Sequence, residues 1–234
     1  MAIVKISWSG GKDSTCAVLE HIKQGDLCKI VCYIPMLCDQ IPLIQKCHYE
    51  YIHNTADLWR SQGLEVHIVT GISYIEFVLT RATRGKNKGK VFGYPCYITG
   101  KCNFKIYSKI KALNRCNIGE YDYEDIGIAF DETQRHNQLN EQKRSILCEK
   151  HITEKEALLR CAREGLLSPL YLTSCRDGCA VCPHKPANEL LAWLNDYPEA
   201  KEILLKLDSK LQDIRPEHPP FRHNVWFSDV LQWV

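Results

Sequence analysis

The chain has 234 residues, 45% hydrophobic and 25% charged, with a formal charge of only +2, which excludes a disordered, collagenous or extreme-charge protein. No apolar run approaches the roughly 20 residues that a membrane-spanning helix needs, so no membrane partner is expected. Thirteen cysteines would suit a disulfide framework in a secreted chain, but Met1 to Lys5 lead straight into an apolar run with no leader ahead of it; the expectation is a cytoplasmic protein whose clustered cysteines bind metal.

The apolar run that starts at Ile3 reads as a buried strand. Ser9-Gly10-Gly11-Lys12-Asp13-Ser14 follows as a glycine loop, and Val18, Leu19 and Ile22 then recur at helical spacing. Such a strand-loop-helix junction is an anion site, because the first helical N–H groups lack intrahelical partners and the helix dipole adds positive charge there. Gly10 and Gly11 carry no side chain to hold a phosphate away. Ser9, Lys12 and Ser14 can supply two hydroxyls and a cation. Asp13 would repel phosphate unless it holds Mg²⁺ or orients the loop, so a metal-nucleotide complex is expected. A Walker A loop is excluded, since that pattern wants Gly at position 6 and Ser or Thr at 13, where this chain has Ile6 and Asp13.

Further along, Lys29 to Ile34 reads as a second strand closed by Pro35. Leu43 to Gln62 reads as a helix with an apolar face of Cys47, Tyr51, Thr55, Leu58 and Trp59, ended by Gly63, and Leu64 to Val69 as a third strand. A short helix is expected over Tyr74 to Thr83, a basic helix over Phe104 to Leu113 and a strand over Ile126 to Phe130. That strand ends in Asp131-Glu132-Thr133-Gln134-Arg135, which makes Asp131 and Arg135 candidate catalytic groups beside Lys12 and Asp13. Thr153-Glu154-Lys155-Glu156 is a capping box that opens another helix. Helices over Ala187 to Asn195 and Pro198 to Leu211 precede a proline- and aromatic-rich tail expected to pack as irregular structure.

The βαβαβ order predicts an α/β fold with an open, mainly parallel twisted sheet, helices on both faces and ligand at the carboxyl ends of the strands. The expected division is a nucleotide-binding core over 1–135 and a cysteine-bearing helical segment over 136–234 packed on it. From Arg81 to Arg115 there are ten basic residues and no Asp or Glu, a candidate footprint for a polyanion.

Cys179 and Cys182, followed by Pro183, can place two thiolates on one ion or cluster. Cys175 lies just upstream, and Cys96 and Cys102 flank the basic segment. Cys16, Cys28, Cys32, Cys47, Cys148 and Cys161 sit inside expected strands or helices, where a small buried hydrophobe explains them.

The Ser9 to Ser14 loop resembles the SGGKDS pyrophosphate loop of the PP-loop ATP pyrophosphatase superfamily. Lys101-Cys102-Asn103-x-Lys105, Gly127-Ile128-Ala129-x-Asp131-Glu132-x-x-Arg135, Gly165 to Tyr171 and Arg176-x-Gly178-Cys179-x-x-Cys182-Pro183 resemble its phosphoadenosine phosphosulfate (PAPS) reductase-like branch. The resemblance implies an adenine nucleotide alpha hydrolase-like fold binding ATP, or an adenylyl sulfate nucleotide, with Mg²⁺. It implies nucleotide contacts from Lys101, Lys105 and Arg176 besides the loop. It also implies a [4Fe–4S] cluster on Cys102, Cys179 and Cys182 with Cys96 or Cys175 as fourth ligand, although zinc suits the same thiolates by ligand type. One departure is that the branch's reductases carry a nucleophilic cysteine in a C-terminal Glu-Cys-Gly-x-His tail, and this chain has no cysteine after Cys182. The expected activity is therefore ATP cleavage between the α and β phosphates with adenylation of an acceptor, in sulfur transfer to a nucleotide or nucleic acid. A sulfonucleotide enzyme served by a separate thiol protein and a non-catalytic nucleotide-binding module with a structural cluster are the alternatives. Expected partners are an adenine nucleotide and either a nucleic acid or a sulfur-donor protein, with oligomeric state left open.

Overall fold

The computed structural model describes residues 1–95, 102–174, 178–217, 221 and 225–233. Its strands are β1 (Ile3–Trp8), β2 (Leu27–Tyr33), β3 (Met36–Cys38), β4 (Ile41–Pro42), β5 (Glu65–Val69), β6 (Tyr123–Ile126) and β7 (Lys143–Arg144). Helices α1 (Lys12–Gln24), α2 (Lys46–Ser61) and α3 (Tyr74–Leu79) precede a π-helix over Lys105–Ile110 that runs into α4 (Lys111–Arg115). Then come α5 (Thr133–His136), α6 (Ile146–Glu149), α7 (Glu154–Arg163), a 3₁₀ turn over Pro169–Leu172, α8 (Ala187–Asp196), α9 (Glu199–Ile214) and α10 (Phe227–Val230). The chain forms two compact units, one of Met1–Tyr33, Cys47–Val69 and Leu113–Asp177, the other of Ile34–Lys46, Thr70–Ala112 and Gly178–Val234.

The first unit is α/β. Its sheet runs β5-β2-β1-β6-β7, and every pairing in it is parallel. Central β1 is buried nearly throughout, with Val4, Ile6 and Trp8 at 2% exposure or less, as a parallel strand covered on both sides requires. Between β1 and β6 the direction in which successive strands are added reverses, and in open parallel sheets ligands bind at the carboxyl ends beside such a reversal. Cys16, Ala17 and Leu19 of α1 pack against Ile146, Leu147 and Ile152 and against Ala157 and Cys161 of α7. At the far end of α1, buried His21 lies 3.0 Å from Asp26 and 3.2 Å from the fully buried Asp125 of β6.

The expected apolar face of α2 is corrected: it buries His48, Ile52, Thr55, Ala56 and Trp59, while Leu58 is exposed. Trp59 stacks obliquely on Trp8, 4.7 Å between ring centres, and this contact sets the helix's rotation. The strand expected at Ile126 to Phe130 lies earlier, because its ladder with β1 runs from Tyr123 to Ile126 and Gly127 then passes directly over the first turn of α1. Thr153 does form the expected capping box with Glu156.

The second unit is built on the antiparallel pair β3 and β4 together with α3, the π-helix, α8, α9 and α10. Tyr74, Phe77, Phe104, Leu190, Trp193, Leu204 and Phe227 share its core. The β3–β4 hairpin is absent from the sequence expectation, as Met36 to Pro42 carries no period of two long enough to read. The tail is not wholly irregular. Asp208 of α9, 1% exposed, accepts hydrogen bonds from Tyr94 Oη (2.6 Å), Phe227 N (3.2 Å), Ser228 N (3.0 Å) and Ser228 Oγ (3.0 Å), which fastens α10 to the core.

Candidate functional site

The Ser9 to Ser14 loop lies in the first unit, between the carboxyl end of β1 and the start of α1. Gly10 has φ +76°, a left-handed conformation that favours glycine, and a Cβ there would lie 2.7 Å from Ile52 Cγ1 and 2.8 Å from His48 Cε1. Gly11 is extended and starts α1 with no side-chain cap. Three loop N–H groups point to hydroxyls: Ser9 N donates to Ser14 Oγ (3.1 Å), Gly11 N to Ser9 Oγ (3.3 Å) and Lys12 N to Tyr171 Oη (2.9 Å). The amides are thus gathered at a helix N-terminus with neutral acceptors that an anion can outcompete.

His48 holds the loop from below. Its Nε2 is 3.2 Å from the Ser9 carbonyl oxygen, which can only accept, so Nε2 carries the proton. In the neutral ring Nδ1 then accepts from Ser168 Oγ at 2.7 Å, and Ser168 in turn accepts from Leu170 N. Cys161 Sγ donates to the Lys12 carbonyl at 3.2 Å, and Trp8 Nε1 to Thr15 Oγ1 at 2.9 Å.

Lys12 Nζ donates to Asp13 Oδ2 and Glu154 Oε2, each at 2.8 Å. Burial alone would lower its pKa, but these two carboxylates outweigh burial and hold the ammonium above its ordinary value. Burial pushes the Asp13 carboxyl up, Lys12 opposes this, and Glu154 and Glu132 add to the rise. Asp13 Oδ1 is buried and has no hydrogen-bond partner among the described residues. A buried, orphaned carboxylate oxygen in an acidic surround is stabilised by a cation, so the residues fit Mg²⁺ brought in with phosphate. Among the described residues no three His, Cys, Asp or Glu side chains are arranged to hold a metal ion. Magnesium does not require such a group, since it takes one or two carboxylates plus substrate phosphates.

Asp131 Oδ1 accepts from Glu154 N at 3.0 Å, so it caps the start of α7 and sets Glu154 near Lys12. Arg135 is exposed and donates to Glu132 Oε1 at 2.6 Å, while Glu132 Oε2 accepts from Ala129 N. Gly127 has the tightest approach to the loop: a Cβ there would lie 2.5 Å from Ser14 N and 2.6 Å from Ser14 Cα. His48, Tyr171, Glu154, Cys161 and the packing role of Gly127 are the site features the sequence does not announce. Only the i, i+4 spacing of His48, Ile52 and Ala56 carries a signal, because it places His48 on the buried face.

Of the remaining candidates, Cys102, Lys105, Cys179 and Cys182 belong to the second unit. Lys105 opens the π-helix. Cys96, Lys101, Cys175 and Arg176 lie outside the described residues. Cys179 is half-buried, and burial pushes its thiol up to about 12; the charges of Cys102 and Cys182 push the same way, while Lys109 and Lys185 pull it down. Cys102, Cys179 and Cys182 therefore share one neighbourhood although 77 positions separate Cys102 from Cys179. Sulfur donors flanked by two lysines suit a metal that wants thiolates, but the described thiols alone make no closed ligand set. Among the described residues no helix is long and apolar enough to cross a membrane. No protein-family model matches the chain, and no curated protein matches it.

Proposed function

We propose that the chain is an ATP-using enzyme that cleaves between the α and β phosphates, releases pyrophosphate and adenylates an acceptor, in sulfur transfer to a nucleotide or nucleic acid. In this reading the fold is of the adenine nucleotide alpha hydrolase type, as the resemblance of Ser9 to Ser14 to the PP-loop suggests. The observation that carries it is the loop's position: a glycine-lined helix N-terminus at the carboxyl end of β1, next to the strand-order reversal, with the backbone of Gly127 pressed against it.

Each residue then has a role. The amides of Gly11 and Lys12 exchange hydroxyl acceptors for phosphate oxygens. Lys12, held protonated by its carboxylate neighbours, transfers its contact from Glu154 to the phosphate chain and offsets the charge that builds there. Asp13 Oδ1 would hold Mg²⁺, which when bound neutralises charge on the phosphate oxygens and orients the leaving pyrophosphate. Asp131 acts by positioning Glu154, and Arg135 by holding Glu132. Lys101, Lys105 and Arg176 are proposed as further nucleotide contacts. Cys102, Cys179 and Cys182, with Cys96 or Cys175, would hold a [4Fe–4S] cluster, or zinc, and such a centre when bound supplies a sulfur-binding or fastening site. Iron, zinc and sulfide analysis of anaerobically purified protein separates these.

The test is calorimetry of Mg-ATP binding to the intact chain and to Lys12→Met. The variant should bind at least about tenfold more weakly, the loss of one charged hydrogen bond of about 1.5–3 kcal/mol, while still folded at the assay temperature as circular dichroism would show. Products with an acceptor should be AMP and pyrophosphate. Undiminished binding by the folded variant, or ADP and phosphate as products, overturns the proposal.

A further inference from the structure

We propose that the segment from Arg81 to Val91 and the π-helix over Lys105–Ile110 form one surface that binds single-stranded nucleic acid. Both elements belong to the second unit, and the binding needs no ATP, so the inference stands apart from the nucleotide reading. If both hold, the acceptor is a nucleic acid.

The segment is a built hairpin. Arg81 and Val91 form an antiparallel bridge, Ala82 N donates to Lys90 O and Gly89 N to Ala82 O at 2.8 Å each, and Phe92 N donates to Thr80 O. Gly85 and Gly89, at φ +74° and +83°, turn the tip. Along it Arg81, Arg84, Lys86, Lys88 and Lys90 are all exposed. Lys90 pairs with Glu217 at 2.8 Å, and the Arg81 guanidinium donates to the Gly89 carbonyl at 2.6 Å, which stiffens the hairpin. Arg84, Lys86 and Lys88 have no carboxylate partner among the described residues. Like charges this dense repel one another, and a polyphosphate strand relieves that repulsion.

The π-helix adjoins the hairpin's base. The Phe92 ring, next after the bridge, meets Tyr107 at 4.9 Å, and Phe77 backs both. Ser108 Oγ donates to Ile72 O at 2.6 Å, and Gly71 passes so close that a Cβ on it would lie 2.6 Å from the Ser108 carbonyl oxygen, so the helix is held in place. It exposes Ile106, Tyr107 and Ile110 beside Lys105 and Lys111, with Lys111 Nζ 4.2 Å above the Tyr107 ring. Cations alone would serve any polyanion. An exposed aromatic and two aliphatic side chains among them favour unpaired bases, whose faces stack on such groups, over a duplex whose base faces are already stacked on one another.

The experiment is fluorescence anisotropy of the intact chain with end-labelled single strands of RNA and DNA of about 20 nucleotides and with the matching duplex, without ATP, between about 50 and 200 mM NaCl. At least one single strand should bind more tightly than the duplex. The triple variant Arg84→Gln, Lys86→Gln, Lys88→Gln should lower the magnitude of the log–log salt slope by about 2, at about 0.7 per phosphate contact. Tyr107→Ala should weaken binding about fivefold or more, and Tyr107→Phe should restore it. Single strands that do not bind, a duplex that binds as tightly, or a triple variant with an unchanged slope overturns the proposal. Mg-ATP calorimetry on the triple variant keeps this outcome separate from the fate of the loop.

Discussion

Gly127→Ala adds one methyl group where there is no room for it. Its Cβ would lie 2.5 Å from Ser14 N, 2.6 Å from Ser14 Cα and 2.8 Å from the Asp13 carbonyl carbon, all backbone atoms of the first turn of α1. No rotamer change can relieve such a clash. Ordinary contact begins near 3.4 Å, so the end of β6 and the start of α1 must part by about 1 Å. Overpacking of this kind costs about 1–3 kcal/mol, equivalent to a fall of roughly 2–4 °C per kcal/mol in the unfolding temperature of a chain of this size. The displaced turn carries Lys12, Asp13 and the loop amides, and a misplacement of about 1 Å costs on the order of 10²-fold in rate when those groups do the chemistry. Thermal unfolding and Mg-ATP calorimetry on the same preparation separate the two effects. Wild-type unfolding would refute the packing. Lowered stability with wild-type ATP affinity would leave the packing standing and refute the loop as the nucleotide site.

Asp208→Ala removes the acceptor of four hydrogen bonds and strands Tyr94 Oη and two backbone N–H groups in the core of the second unit. At about 1–3 kcal/mol per unsatisfied buried group, urea unfolding should show a loss of several kcal/mol, and a loss below about 1 kcal/mol would count against the network. His21 gives a pH signature: burial would lower its pKa, but Asp125 and Asp26 outweigh burial and raise it. A raised folded pKa stabilises fully below the unfolded value near 6.5 and fades as pH climbs through the folded value. Asp26 works in the opposite direction: burial would raise its pKa, but the Ala2 N–H and His21 lower it, so its contribution is lost only as pH falls below the usual carboxylate range. The gap in unfolding temperature between wild type and His21→Gln should therefore be widest near pH 5 to 6 and narrow above about 7. A gap independent of pH would sink the charged triad.

The loop was legible because its determinants are contiguous: an apolar strand, two glycines and a helical period within Ile3 to Ile22. The parallel sheet followed from the order of elements. Gly127 was not legible as a packing residue, because what it must avoid lies 113 positions earlier, at Ser14. His48 was hidden by counting the face of α2 from Cys47 and Leu58, one residue out of register with the face that Trp59 selects by packing on Trp8. The short β3–β4 hairpin and α10 were missed because tertiary contacts, including the carboxylate of Asp208, hold pieces too brief to carry a period of their own.

The two units interleave along the chain, which passes from one to the other five times, at 33, 46, 69, 112 and 177. No single cut releases either one whole. During synthesis the central strand of the first sheet leaves the ribosome early, but its neighbour at Tyr123, and the edge strand at Lys143 that pairs with that neighbour, must wait for more than a hundred residues, and the second unit cannot close before Phe227 and Ser228 reach Asp208. Nascent chains arrested before the last turn should therefore remain protease-sensitive over much of their length, and recombinant fragments should fail to fold where the entire polypeptide succeeds.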